Sequence, residues 1–154
     1  MLSRLACGLA ALLLLAGCDR FFYARLSPES TAERPVFEFG SLSDSTGEGW
    51  VWRLEVSGRP RKDTLAQWHT FWHAHLDSGH RYSVVQKAVY GERPAQFSDR
   101  VAPESLPAEH IYWLFPGYHG VGEQVYFEIA RDSLGGKTIR ELTEDEWQLA
   151  IRGG

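Results

Sequence analysis

The chain has 154 residues and a formal net charge of −4, with 20 acidic side chains against 16 Lys and Arg. No stretch forms a basic run, which excludes the electrostatic footprint of a nucleic-acid binder. The 44% hydrophobic content, with six Trp, six Tyr and eight Phe, excludes a disordered chain.

The first element is an export signal. Met1 to Arg4 carries one positive charge, and Leu5 to Ala16 is an apolar or small-residue run interrupted only by Gly8. That run is short of the roughly 20 apolar residues that span a bilayer. It has the length and flanks of a signal-peptide h-region. Leu15-Ala16-Gly17-Cys18 follows directly and resembles the bacterial lipobox. The resemblance implies cleavage before Cys18, diacylation of its thiol and acylation of the new amine. Each buried CH₂ contributes about 0.8 kcal/mol, so several acyl chains make a durable anchor. Asp19 resembles the inner-membrane retention signal of enteric bacteria, a rule that varies between lineages, so both membranes stay open. Cys7 leaves with the signal, and the mature part then has no free thiol. This excludes a cysteine nucleophile, Cys-ligated zinc and a disulfide.

Phe21-Phe22-Tyr23 has two readings: aromatic residues resting at the lipid headgroups, or a first strand of the domain. Ala24 to Arg34 is polar and reads as a tether. Residues 1–17 are therefore expected as signal peptide, 18–34 as lipidated cysteine and tether, and 35–154 as a single globular domain.

Val36 to Phe39 is a candidate strand, followed by a Ser/Gly/Asp-rich loop over 40–49. Trp50, Trp52, Leu54 and Val56 alternate with polar or smaller residues, which predicts a half-buried strand with both Trp rings on the core face. Thr64 and Gln67 fit a capping box. Leu65, Trp68, Trp72 and Leu76 share one helical face, and Gly79 is a natural stop. The spacing predicts a helix over 64–78 packed on a sheet. Tyr82 to Tyr90 is strand-like, and 91–107 reads as a long Pro-rich loop. Residues 111–115 and 125–129 are strands joined by a loop over 116–123. Thr143 and Glu146 form a second capping box, with Leu142 and Trp147 placed as a hydrophobic staple, which predicts a short helix over 144–151.

The early Trp strand, Leu106-Pro107, Ile111-Tyr112-Trp113 and Val125-Tyr126-Phe127 together resemble small Gram-negative lipoproteins carrying a domain of unknown function. That resemblance implies an envelope lipoprotein and attaches no activity to it.

Three features invite chemistry. On a helix, His69 and His73 project within about 40° of each other, so one zinc or copper ion could bridge them. The segment lacks the Glu of a metalloprotease helix, and two solvated histidines beside an apolar stripe explain it without a metal. Gly117, Gly120 and Gly122 reverse the dinucleotide fingerprint and join two strands, so a nucleotide loop is excluded. Tyr118 and His119, near the tip of the 116–123 loop, are the candidate partner-binding residues. The Trp content suggests sugar stacking, but the alternation assigns Trp50, Trp52, Trp68 and Trp72 to core faces.

The expected fold is α+β: an antiparallel or mixed sheet of about five strands, packed by the 64–78 helix and closed by a short C-terminal helix. The expected function is a membrane-anchored envelope lipoprotein facing the periplasm. It acts without catalysis, either by binding an envelope protein partner or in envelope maintenance, and is held to membrane lipid through acylated Cys18. The alternative is a periplasmic metal-dependent or glycan-directed enzyme. No cofactor is expected beyond the covalent lipid, the histidine pair being the one place for a metal.

Overall fold

Strands make up about half of the described residues, and they assemble into two packed β-sheets. The structure is a computed structural model and describes residues 21–42, 49–118 and 121–153. The strands are β1 (Phe21–Leu26), β2 (Val36–Ser41), β3 (Gly49–Pro60), β4 (His69–Leu76), β5 (Ser83–Val85), β6 (Lys87–Val89), β7 (Phe97–Val101), β8 (His110–Tyr118), β9 (Val121–Gly122), β10 (Val125–Arg131) and β11 (Lys137–Leu142). A smaller sheet has the order β6-β2-β1-β9, and a larger one the order β11-β10-β8-β3-β4-β7 with β5 added to β3. Pairing is antiparallel throughout, except that β1 runs parallel to β9.

The core lies between the sheets. Ala24, Phe37 and Phe39 come from the smaller one; Leu54, Val56, Trp72, Leu114 and Phe127 come from the larger. Phe37 meets Phe127 across the gap, with ring centroids 5.7 Å apart, and Phe22 stacks on Tyr118 at 4.9 Å.

The α+β expectation is overturned. The segment predicted as the main helix holds β4, and Thr64 and Gln67 fall in the turns before it. Trp72, Ala74 and Leu76 point into the core, while His73 and His75 are only half-buried on the other face. Aromatic and β-branched residues favour the pleated surface. The apolar positions 72 and 76 satisfy a period of two as well as one of 3.6, so spacing alone could not separate the two.

Two irregularities shift the faces. The register of β3 against β8 slips between Val51 and Arg53, so Trp52 is an extra residue. Val51 therefore enters the core at 0% exposure, while Trp50 and Trp52, both expected there, remain half-buried. The Trp52 indole instead donates to the Tyr118 carbonyl at 3.2 Å and lies over Gly117, where a Cβ would come within 2.7 Å of the ring. A second slip, between Trp72 and Thr70 of β4, makes Phe71 the extra residue. A bulge leaves two residues opposite one and bends the strand.

Three loop expectations also change. Residues 21–26, within the expected tether, form β1 in the middle of the smaller sheet, and Ser27 and Ala32 behind it are buried. The smaller sheet thus includes residues that precede Pro35 in the chain. The 91–107 stretch contains β7, and the 116–123 connection is mostly strand, with β8 reaching Tyr118 and β9 starting at Val121.

The C-terminal helix forms as expected. This helix, α1 (Glu144–Arg152), opens with the Thr143/Glu146 capping box and closes on Gly153 in the left-handed region at φ 81°. Leu142, Trp147 and Ala150 share a small core with Ile111 on the outer face of the larger sheet. Glu128, 6% exposed, pairs there with Arg61 and Arg140, and Arg140 pairs in turn with Glu146 of the helix.

Candidate functional site: an aromatic groove beside the C-terminal helix

The outward positions of β8 and β10 carry aromatic residues. Trp113 sits between inward Tyr112 and Leu114, and Tyr126 between inward Val125 and Phe127. The register pairs Trp113 with Tyr126. On this surface α1 lays Trp147, stacked on Tyr126 at 4.6 Å and 18°. The turn before β4 adds Trp68, whose ring lies 5.3 Å from Trp147 and 6.3 Å from Trp113. Trp68 is 42% exposed. Together with Gln124 these four rings line a groove of about 200 Å³.

Arg59 positions Trp68. Its guanidinium lies 5.0 Å from the Trp68 ring centroid, within cation–π range. It also donates to the carbonyls of Thr64 and Ile151, at 2.7 Å each. One side chain, 7% exposed, thus ties the Trp68 turn to the last turn of α1. A cation there also opposes the negative end of the helix dipole. The contact is close: a Cβ on Gly153 would come within 2.8 Å of the Thr64 methyl.

Beside the groove lies a larger depression of about 460 Å³, lined by Ala24, Glu123, Glu141 and Glu144 among others. Gln124 and Tyr126 belong to both walls. The Tyr126 hydroxyl donates to Gln124 Oε1 at 3.3 Å. Burial, and secondarily the Glu144 carboxylate, push its pKa up. Burial also raises Glu141, partly offset by the Leu26 N–H donated to its Oε2 at 2.7 Å. The Trp113 indole N–H is buried and has no acceptor among the described residues. The arrangement joins apolar ring faces to a rim of carboxylates and an amide. It suits a ligand with an apolar face and a hydroxylated edge.

The residues expected from the sequence lie elsewhere. Cys18 and His119 are outside the described residues. Tyr118 ends β8 and is half-buried: its ring stacks on Phe22, its hydroxyl donates to the Tyr23 carbonyl at 3.2 Å, and burial raises its pKa. Its ring thus packs at the end of β8. His69 and His73 sit on β4, not on one helical face. The Phe71 bulge sends them to opposite faces of the sheet. His69 bonds Glu104 at 3.1 Å and lies edge-on to Phe71. His73 is 3.9 Å from Glu55 and 6.2 Å from the His75 ring, and burial, reinforced by Arg53, lowers its pKa. No group of three or more His, Cys, Asp or Glu able to hold a metal occurs among the described residues.

Sequence reasoning missed Trp113, Gln124, Tyr126 and Trp147 as a site. The available signal was two-sided aromatic alternation in 111–115 and 125–129, which a one-face reading treats as burial. Among the described residues no helix is long and apolar enough to cross a membrane. No family model, no curated protein and no solved structure matches the chain.

Proposed function

We propose that this protein is a lipid-anchored envelope lipoprotein that acts by binding, and that the Trp68–Trp113–Tyr126–Trp147 groove receives the sugar rings of a glycan. The anchor rests on Leu15-Ala16-Gly17-Cys18 directly after an apolar run. The acylated chain would face the periplasm. The observation that carries the binding reading is Trp68, 42% exposed yet held in place by Arg59 among three other rings. An exposed Trp fixed by a buried arginine is a prepared surface, since little side-chain freedom remains to be lost on binding. A pyranose ring has an apolar C–H face that stacks on indole and an equatorial rim of hydroxyls. Those hydroxyls would meet Gln124, Glu123 and Glu144.

The test uses the lipidated protein in detergent, titrated with a soluble β-1,4-linked N-acetylglucosamine tetramer and with cellotetraose. Binding should change tryptophan emission, and Trp68→Ala should weaken it by roughly 2 kcal/mol, about thirtyfold. Absence of heat and of any emission change with both sugars at millimolar concentration would sink the glycan reading. In the same cells, labelled palmitate should enter the wild type and not Cys18→Ala.

A further inference from the structure

The distance between the proposed anchor and the first strand constrains how the domain stands on its membrane. Phe21 opens β1, three residues after Cys18. Three extended residues reach at most about 10–11 Å. The 18–34 tether expected from the sequence would have reached roughly 60 Å. Because Phe21–Leu26 is hydrogen-bonded into the sheet, that slack does not exist. The polar headgroup layer is itself about 5–7 Å deep on each side. The end of the sandwich at Phe21 must therefore stand on the bilayer surface.

That end carries exposed apolar side chains. Phe21 is 51% exposed and Leu42 71%, and the Leu42 N–H donates to the Phe21 carbonyl at 2.8 Å, which holds the two side by side. On the flank of the same end, where β3 begins, Trp50 stacks on Tyr82 at 4.4 Å and pairs with Val84. Tyr82 is 41% exposed and Val84 45%. Aromatic rings of this kind favour the headgroup level.

Building on the anchor reading above, we infer that this rim, which includes Phe21 and Leu42, inserts into the interface of the membrane that holds the acyl chains. The occupant is the lipid surface itself. The rim and the acyl chains form one docking surface that orients the domain, and the aromatic groove, at a defined height.

The experiment uses full-length lipidated protein reconstituted in vesicles of phosphatidylethanolamine and phosphatidylglycerol. Leu42→Cys supplies a thiol for an environment-sensitive fluorophore, the Cys18 sulfur being acylated. Leu134→Cys serves as the control. Leu134 is 94% exposed and lies in the β10–β11 turn, beyond the sheet end where Ile129 pairs with His110. The label at 42 should be blue-shifted and quenched by nitroxide lipids, while the label at 134 reads water. Inserting twelve Gly/Ser residues between Arg20 and Phe21 should return the 42 label to water with acylation intact. If palmitate is incorporated and the two labels read alike, the rim proposal fails while the anchor stands. If palmitate is not incorporated, the anchor fails and the rim proposal falls with it.

Discussion

Trp68 and Trp72 are four residues apart, and a helical reading gives them one environment. The structure gives them opposite ones. Trp72 is 0% exposed and its indole donates to Asp99 Oδ1 at 3.0 Å. Trp68 lies outside β4 with its ring at the groove. Trp72→Ala should therefore lower the stability by about 3–5 kcal/mol, the range for a buried aromatic. Trp68→Ala should cost roughly 1 kcal/mol or less, since the site is surface-exposed. Urea midpoints of the two variants decide the matter: similar losses would mean that the rings share one environment. Neither residue type nor local spacing separates them, because the difference comes from where the strand begins.

At the scale of elements, α1 was legible and β4 was not, and the contrast has a physical basis. The cap of α1 is local. The Thr143 hydroxyl accepts from the Glu146 N–H at 3.2 Å, and the Thr143 N–H donates back to Glu146 Oε2 at 2.9 Å. Both partners lie within one turn, so a four-residue pattern specifies them. That geometry, chiefly the Thr143 N–H and then the Arg140 guanidinium, holds the Glu146 carboxyl near pKa about 2, below its ordinary 4.5. A depressed carboxyl stabilises fully above its unfolded value and loses that contribution as pH falls. Wild-type stability should thus drop between pH 4.5 and about 2 more steeply than that of Glu146→Gln, measured as the urea midpoint against pH. Parallel curves would show that the ionised carboxylate contributes nothing. The Thr64/Gln67 pattern looked the same but failed, because β4 gains a full ladder with β3 on one side and β7 on the other. Tertiary pairing overrides a local propensity of this size.

At the scale of the molecule, the decisive element is β1. It lies between β2 and β9, and its Phe22 and Ala24 are 1% and 5% exposed. Its Leu26 N–H also reaches Glu141 of β11 in the other sheet. A chain begun at Pro35, the boundary expected from composition, should lack a cooperative thermal transition and a near-ultraviolet circular dichroism signal. A chain begun at Asp19 should keep both. A sharp melt of the shorter chain would show that β1 is dispensable.

The sequence by itself determined what depends on neighbours along the chain: the apolar run before Leu15-Ala16-Gly17-Cys18, the local patterns that mark strands at 36–39, 50–56, 111–115 and 125–129, and the cap of α1. Only the tertiary structure decided what depends on partners far away. β1, β4, β7 and β11 are short or ambiguous segments whose backbone groups are satisfied by distant strands. One extra residue at Trp52 or Phe71 reverses which face its neighbours present. The groove draws Trp68, Trp113, Tyr126 and Trp147 from four separate elements, and no local pattern contains it. Spacing along a chain encodes period but not register, and the groove, like the place of β1 in its sheet, is a consequence of register.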